Sequence, residues 1–316
     1  THLSAPLAIL GINFPGNPRN FWQWHKVFKV ARKRIKSPSG SEPEVIIQEL
    51  GTDHPGDIAQ FGAYLFADIS IITSVTPEHM EFFGTIDAVA QEELDAATYA
   101  KIAILNQDDI RGEFLKYLRN SNFSTYSSNG GANYNFIPND FSLLEGFGGN
   151  IQTPEFGEIP VRAKVFGEHS LRPITGAVAV AIKLGLNPQE IINGLASLKP
   201  VPGRMNFMRG LEDSVLIDDT YNSSPAALTA AIQTLYALSA PSKIAVIGSM
   251  NELGESSAME HQRIGEMLDG VELSWVVTVG EQANKYLAPA ARLRGCQVYE
   301  AKNAIDAGIF VRKIME

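Results

Sequence analysis

Short apolar runs bounded by turn residues alternate with longer stretches of helical period along most of the chain. Three of the runs, VIIQEL (45–50), ISIITSV (69–75) and IAILN (102–106), read as buried strands. Helical spacing at about 57–66, 86–99 and 110–119 lies between and after them. This alternation predicts βα units on a mostly parallel sheet. From Asn122 to Gly167 the punctuation changes to Gly, Asn and Pro around short alternating stretches, which predicts hairpins and an antiparallel margin. Helical period returns at about 173–185 and 188–197. The segment KPVPGRM (199–205) then interrupts the pattern, and VLIDD (215–219) opens a second β-α alternation through KIAVIG (243–248), WVVTVG (275–280) and CQVYEA (296–301). The expected architecture is α/β in two domains, 1–202 and 203–316, with the border near Gly203.

One stretch departs from this rhythm. Phe21, Trp24, Phe28, Ala31 and Ile35 share a helical face, while Lys26, Lys29, Arg32, Lys33, Arg34 and Lys36 crowd the others. Such a helix can dock its aromatics on its own domain or meet an anionic membrane surface or a phosphate-rich ligand. A charge run is ordinarily a solvated face, so docking is the favoured expectation over membrane contact.

Length and composition narrow the class. At 316 residues the chain can hold two cores, since single cores stop growing at about 250 to 300 residues. A hydrophobic share of 45% and a charged share of 19%, without an apolar stretch long enough to span a bilayer, describe a globular protein outside the membrane. Cys296 is the only cysteine and can form no intrachain disulfide, so the reducing cytoplasm is the expected compartment. A net charge of −9 argues against a broad nucleic-acid surface. A monomer is expected.

The candidate chemistry starts at a sheet edge. Glu49 falls at the carboxyl end of the first apolar run, and open α/β sheets bind ligands at that edge. A carboxylate there suits magnesium. His79 follows the next strand and would share the edge if the two strands are parallel. Taken alone, a Glu or His in a loop is ordinarily structural, and Mg²⁺ prefers oxygen ligands.

The order of motifs is more specific than any one of them. Glu49-x-Gly51, Gly56-Asp57-Ile58 and Thr73 followed by His79 resemble the central domain of Mur ligases, and LNQDD (105–109) is similar to that family's Asn-x-Asp-Asp segment. GEHSLRPITGAVAVAIKLGL (167–186) resembles its Gly-x-His region with the following Ala-rich helix, and PVPGRM (200–205) its interdomain linker. IDDTYNSSPAAL (217–228) and IGSMNELGESSAMEH (247–261) resemble the MurF branch. The resemblance implies a mostly parallel central domain, a smaller Rossmann-like C-terminal domain, and ATP with Mg²⁺ as cofactors. It implies an amide ligase that activates a peptide carboxylate as an acyl phosphate, adding D-alanyl-D-alanine to a UDP-linked muramoyl tripeptide. Glu49 and His79 would hold the metal, with Arg204 beside them in catalysis. His169, Arg204, Asp219 and Asn222 would meet the nucleotide as the domains close. Another carboxylate or amine substrate, or a binding protein that has lost the chemistry, are the alternative readings.

Several positions depart from the family pattern. No Gly-x-x-Gly-Lys-[Ser/Thr] loop occurs. LSAPLAILG (3–11) resembles the segment after that loop, so the loop and the UDP-binding domain are expected upstream, and this chain alone is expected not to turn over ATP. Glu316 precedes the expected final Lys-Gly-Ser strand. Gln91 stands where the family carries a carbamylated lysine, Ser170 and Pro173 replace its adenine-contacting asparagines, and Ser249 replaces the Asp of Gly-Asp-Met.

Overall fold

A computed structural model describes residues 4–36, 43–77, 80–143, 145–199 and 201–315. Three helices, α1 (Ser4–Ile9), α2 (Phe21–Lys36) and α3 (Asp57–Gly62), precede the first strand. A six-stranded sheet follows: β1 (Ala67–Ile72), β2 (Ala100–Asn106), β3 (Phe123–Ser127), β4 (Tyr134–Ser142), β5 (Gly146–Thr153) and β6 (Gly157–Ala163), in sequence order across the sheet. β1 to β4 run parallel, and β5 and β6 add the antiparallel margin. Helices α4 (Met80–Phe83) and α5 (Ile86–Asp95) lie between β1 and β2, and α6 (Leu171–Lys183) and α7 (Pro188–Ala196) follow β6.

The strand residues alternate between two cores. In β2, Ile104 packs with Tyr126, Phe136 and Ile151 against Ile174 and Val178 of α6, whereas Ala103 and Leu105 face Val89 and Leu94 of α5. A sheet covered on both faces explains why its parallel strands read as continuous apolar runs. Helix α6 lies so close that a Cβ on Gly176 would fall 2.8 Å from Ile71 and 2.9 Å from Tyr126.

The C-terminal part repeats the plan on a smaller scale. A hairpin of β7 (Asn206–Arg209) and β8 (Val215–Asp218) leads into α8 (Pro225–Ala237). β9 (Ile244–Gly248), α9 (Ser257–Met267), β10 (Trp275–Val279), α10 (Ala288–Leu293), β11 (Val298–Ala301) and α11 (Ala304–Met315) then build a three-stranded parallel sheet with β10 in the middle. Val276 packs toward Ile232 and Ile264, and its neighbour Val277 packs toward Ala307 of α11.

Five expectations need correction. VIIQEL forms no strand: Val45, Ile46 and Ile47 are exposed, because no backbone among the described residues pairs with them. The helix expected over 57–66 ends at Gly62, and that over 110–119 is a 3₁₀ segment, Gly112–Tyr117. VLIDD joins β7 in an antiparallel ribbon rather than the parallel sheet. Helix α2 does not dock its aromatic face: only Ala31 is buried, and Phe21 and Ile35 are 74% and 65% exposed. Its aromatics find one another instead, Trp24 stacking on Phe28 at 5.4 Å and meeting Phe14 edge-on at 5.2 Å. Among the described residues no helix is long and apolar enough to cross a membrane.

Candidate active site

The carboxyl ends of β1, β2 and β3 are tied by one polar network. Asn106, the last residue of β2, is buried; its amide nitrogen donates to the Thr73 carbonyl at 2.8 Å and to Asp109 at 2.6 Å. Asp108 accepts from the Ser127 hydroxyl (2.6 Å) and from the backbone N–H (2.7 Å) and hydroxyl (3.0 Å) of Ser128. Arg172 donates through one terminal nitrogen to both oxygens of Asp109, at 2.8 and 3.1 Å, and its Nε lies 3.5 Å from Asp108. A cation in the first turn of α6 opposes the helix dipole, and the two carboxylates offset that cost. Burial, with the charges of Asp109 and Asp108, drives the Tyr126 phenol far above its ordinary pKa. The aspartates of LNQDD thus hold the strand ends and Arg172 together.

A second buried carboxylate organises the other flank. Glu92, on the inner side of α5, accepts the N–H groups of Gly56 and Ile58 at 2.7 Å each and the Thr52 hydroxyl at 3.4 Å. It supplies the acceptor at the start of α3, where the dipole favours negative charge and Gly56 itself offers no side chain. Gln91, the next residue back, is exposed and lines a cavity of about 350 Å³ with Gly56, Lys116 and Arg119. Glu49 is exposed, three residues before Thr52. His79 lies outside the described residues.

The third element is the junction around Gly203. Its N–H donates to Asp218 and its carbonyl accepts the Tyr221 N–H, both at 3.0 Å. Asp219 accepts the Met205 N–H at 3.0 Å, and the Arg204 guanidinium stacks over the Tyr221 ring at 4.2 Å. Pro200 lies outside the described residues. Phe166 stacks on Phe207 at 4.2 Å, which joins the segment before α6 to the C-terminal hairpin. His169 is half-buried beside this contact. Burial lowers its pKa, the Asp219 carboxylate raises it and Arg172 lowers it again. Asn222 is an exposed turn residue whose side chain accepts the Ser223 N–H at 2.9 Å.

The His169 ring is thus within electrostatic reach of both Arg172 and Asp219, and Arg204 directly precedes Met205, whose N–H Asp219 accepts. Among the described residues no hydrogen bond or ion pair joins Glu49 or Asn222 to that group. Arg172 and Glu92 were not singled out from the sequence. The available signal was a charged residue on a core-facing helical position, as with Glu92 one turn after buried Val89.

The substituted positions have local roles. Ser170 donates to the Phe166 carbonyl at 2.7 Å, and Pro173 sits in the first turn of α6, where its missing N–H leaves no helical bond unmade. Ser249 accepts the Ala283 N–H at 3.1 Å. His261, the histidine of the MurF-like pattern, is fully buried, accepts the Met250 N–H at Nε2 (2.9 Å) and donates from Nδ1 to the Ser257 carbonyl (2.7 Å). It is a structural pin between β9 and α9.

Two family models match in order along this framework: the Mur ligase middle domain over residues 22–181 and the Mur ligase glutamate ligase domain over 203–309. The chain belongs to the Mur ligase family. This Mur ligase chain is 29% identical over 250 residues to the UDP-N-acetylmuramoyl-tripeptide–D-alanyl-D-alanine ligase of Escherichia coli (strain K12), covering 77% of the chain and 54% of that protein. The corresponding ligase of Mycobacterium leprae is 29% identical over 265 residues, covering 75% and 51%. The chain thus spans about half the length of the curated relatives it matches. Among solved structures, MurF from Acinetobacter baumannii superposes with a TM-score of 0.76 at 25% identity over 93% of this Mur ligase chain and 62% of that one. The MurF ligase of Thermotoga maritima, solved with ADP, shares the fold at 23% identity and a TM-score of 0.66, over 96% and 74% of the two chains.

Proposed function

We infer that this chain is the core of an ATP-dependent ligase that joins D-alanyl-D-alanine to UDP-N-acetylmuramoyl tripeptide in the cytoplasmic synthesis of a peptidoglycan precursor. The observation that carries the reading is the contact between the two α/β units beside His169: Phe166 stacks on Phe207 at 4.2 Å, and a Cβ on Gly167 would fall 2.9 Å from the Thr234 hydroxyl, so His169 lies against the unit that carries Asp219. The names of the similar ligases point the same way. The domain border belongs at that junction.

The donors can be tested against the cofactors. Magnesium takes carboxylate and phosphate oxygens and keeps several waters. Among the described residues no group of three or more His, Cys, Asp or Glu is arranged for a metal, so a ready-made protein cage is not the fit. Glu49 offers one exposed carboxylate, which suits a metal held chiefly by nucleotide phosphates, with His79 as the second protein ligand. Bound there, Mg²⁺ would neutralise phosphoryl charge. For the nucleotide, Asp219 already uses Oδ1 on Met205 and keeps Oδ2 for a ribose hydroxyl, while Arg204, braced on Tyr221, can turn to a phosphate. His169 and Asn222 would flank the nucleotide as the domains close.

In the reaction a tripeptide carboxylate oxygen attacks the γ-phosphorus and ADP leaves. The dipeptide amine then attacks the acyl carbon, and phosphate departs as the nitrogen loses a proton. Closure about Gly203 would keep water from the acyl phosphate between these steps. The test supplies the full-length protein, as its gene encodes it, with ATP, Mg²⁺ and both substrates and follows the pentapeptide by mass. Glu49→Gln should lower turnover about a hundredfold, since the metal contributes several kcal/mol of charge stabilisation. ADP release that ignores D-alanyl-D-alanine and yields no amide product would defeat the proposal.

A further inference from the structure

Helix α2 carries Lys26, Lys29, Arg32, Lys33, Arg34 and Lys36 and no acidic residue, on a chain whose net charge is −9. Lys26, Lys29, Arg32, Lys33 and Lys36 form no ion pair with a described residue. Phe21, Phe28 and Ile35 recur at intervals of seven, so they form one stripe that drifts only about 20° per repeat. All three are exposed, by 74%, 47% and 65%, and Trp22 beside them is 72% exposed. Ala31 is the buried residue of the helix, with Val27 and Trp24 half-buried on the same side. His25, Lys29, Arg32 and Lys36 project on the exposed side of the stripe. A depression of about 200 Å³ on this face is lined by His25, Phe28, Lys29 and Arg32, which places two cations and an imidazole around one aromatic ring.

We propose that the exposed face of α2 is a docking surface for an anionic lipid bilayer. A helix lying in the interface buries its apolar stripe at the headgroup boundary while flanking cations reach lipid phosphates, and both parts are present here in the right order around the helix. The helix starts firmly: Asn20 Oδ1 accepts the N–H groups of Trp22 at 2.9 Å and Gln23 at 3.3 Å, and the Trp24 indole donates to the Pro18 carbonyl at 2.8 Å. The face is thus pre-formed rather than folded on contact. Charge complementarity selects the partner. Five cations that pair with no described anion, Lys26, Lys29, Arg32, Lys33 and Lys36, suit a negatively charged membrane, and the apolar stripe separates this partner from free phosphate or nucleic acid, which would leave Phe21 and Ile35 in water.

Flotation of the full-length protein with phosphatidylglycerol–phosphatidylcholine vesicles tests the proposal, with pure phosphatidylcholine vesicles and excess inorganic phosphate as controls. Binding should require phosphatidylglycerol, weaken with salt, and fall about a hundredfold in Lys29→Gln/Arg32→Gln/Lys33→Gln, at about tenfold or less for each charge removed. In a variant with Trp24→Phe, Trp275→Phe and phenylalanine at every tryptophan outside residues 1–316, Trp22 should emit as a solvated indole without vesicles and shift to the blue with them. Phe21→Ser/Phe28→Ser should weaken binding while leaving the salt dependence intact. Failure to float with phosphatidylglycerol would overturn the assignment, as would binding competed away by phosphate. An already blue-shifted Trp22 without lipid would overturn it too, since another protein segment would then cover the face.

Discussion

Phe166 and Phe207 stack with ring centroids 4.2 Å apart and an interplanar angle of 26°, pinning the segment before α6 to the first strand of the C-terminal hairpin. Phe166 is buried and also meets Phe141 edge-on, whereas Phe207 is only half-buried. Phe166→Ala should therefore destabilise the protein by about 3–5 kcal/mol and Phe207→Ala by about 1–2 kcal/mol. A double-mutant cycle in urea should return about 1 kcal/mol of coupling. Strict additivity of the two would show that the stack links the halves only sterically.

Glu92 carries two short backbone hydrogen bonds that a glutamine cannot both reproduce. Its oxygens serve Gly56 and Ile58 separately, so in Glu92→Gln the amide group would point a donor at one of the two donors. The expected cost is about 2 kcal/mol, read from denaturant midpoints, with amide exchange accelerated first in α3. An unchanged midpoint would mean that water replaces the lost acceptor.

What the sequence disclosed, and what it withheld, follows from local versus pairwise information. The runs at 102–106 and 275–280 became β2 and β10 because continuous apolar residues suit a strand buried on both faces. The run at 45–50 has the same composition but no partner backbone, and composition cannot name a partner. The hairpin of β7 and β8 was hidden for a different reason. Its turn places Glu212 and Asp213 at φ 51° and 58°, the left-handed values that such tight turns favour, but uses neither Asn nor Gly there. For the candidate site the motif order singles out the LNQDD segment, His169 and Asp219. It could not show that Arg172 reaches Asp109 from 63 residues away and lies 3.5 Å from Asp108 as well.

His169 gives a prediction with a sign. Burial, the largest influence, lowers its pKa below the ordinary 6.5, so the folded state favours the neutral ring. At pH above 6.5 that preference costs nothing. As pH falls below 6.5 the unfolded chain takes up a proton more readily than the folded one, and stability declines until the folded His169 also titrates. Imidazole NMR shifts followed against pH should show a midpoint below 6.5. Asp219→Asn should move it lower by removing the carboxylate that favours the cation, and Arg172→Gln should move it higher. Shifts of the same sign in both variants would exclude this electrostatic arrangement.

The junction at Gly203 yields the most direct link from backbone to activity. Gly203 has φ +73°, and a Cβ there would lie 3.1 Å from the Tyr221 nitrogen and 3.2 Å from the Tyr221 Cβ. Gly203→Ala must therefore bear about 1–2 kcal/mol of left-handed backbone strain and also push Tyr221 away. Displacing Tyr221 loosens the hydrogen bond to the Gly203 carbonyl and the ring on which Arg204 rests. Neither core touches these atoms, so secondary structure and the packing of α6 and α9 should persist. Activity should not, if Arg204 and Asp219 meet the nucleotide only when this junction is correctly set. In the full-length protein the expected result is about a tenfold rise in the KM for ATP with a smaller fall in kcat. Tyr221→Ala should show the same bias, because it removes the same brace from the other side. Ligation kinetics of both variants, with circular dichroism to establish folding, provide the measurement. Wild-type kinetics in a folded Gly203→Ala protein would mean that the nucleotide site is set elsewhere, and that the Arg204–Tyr221 stack is a surface contact without a part in the reaction.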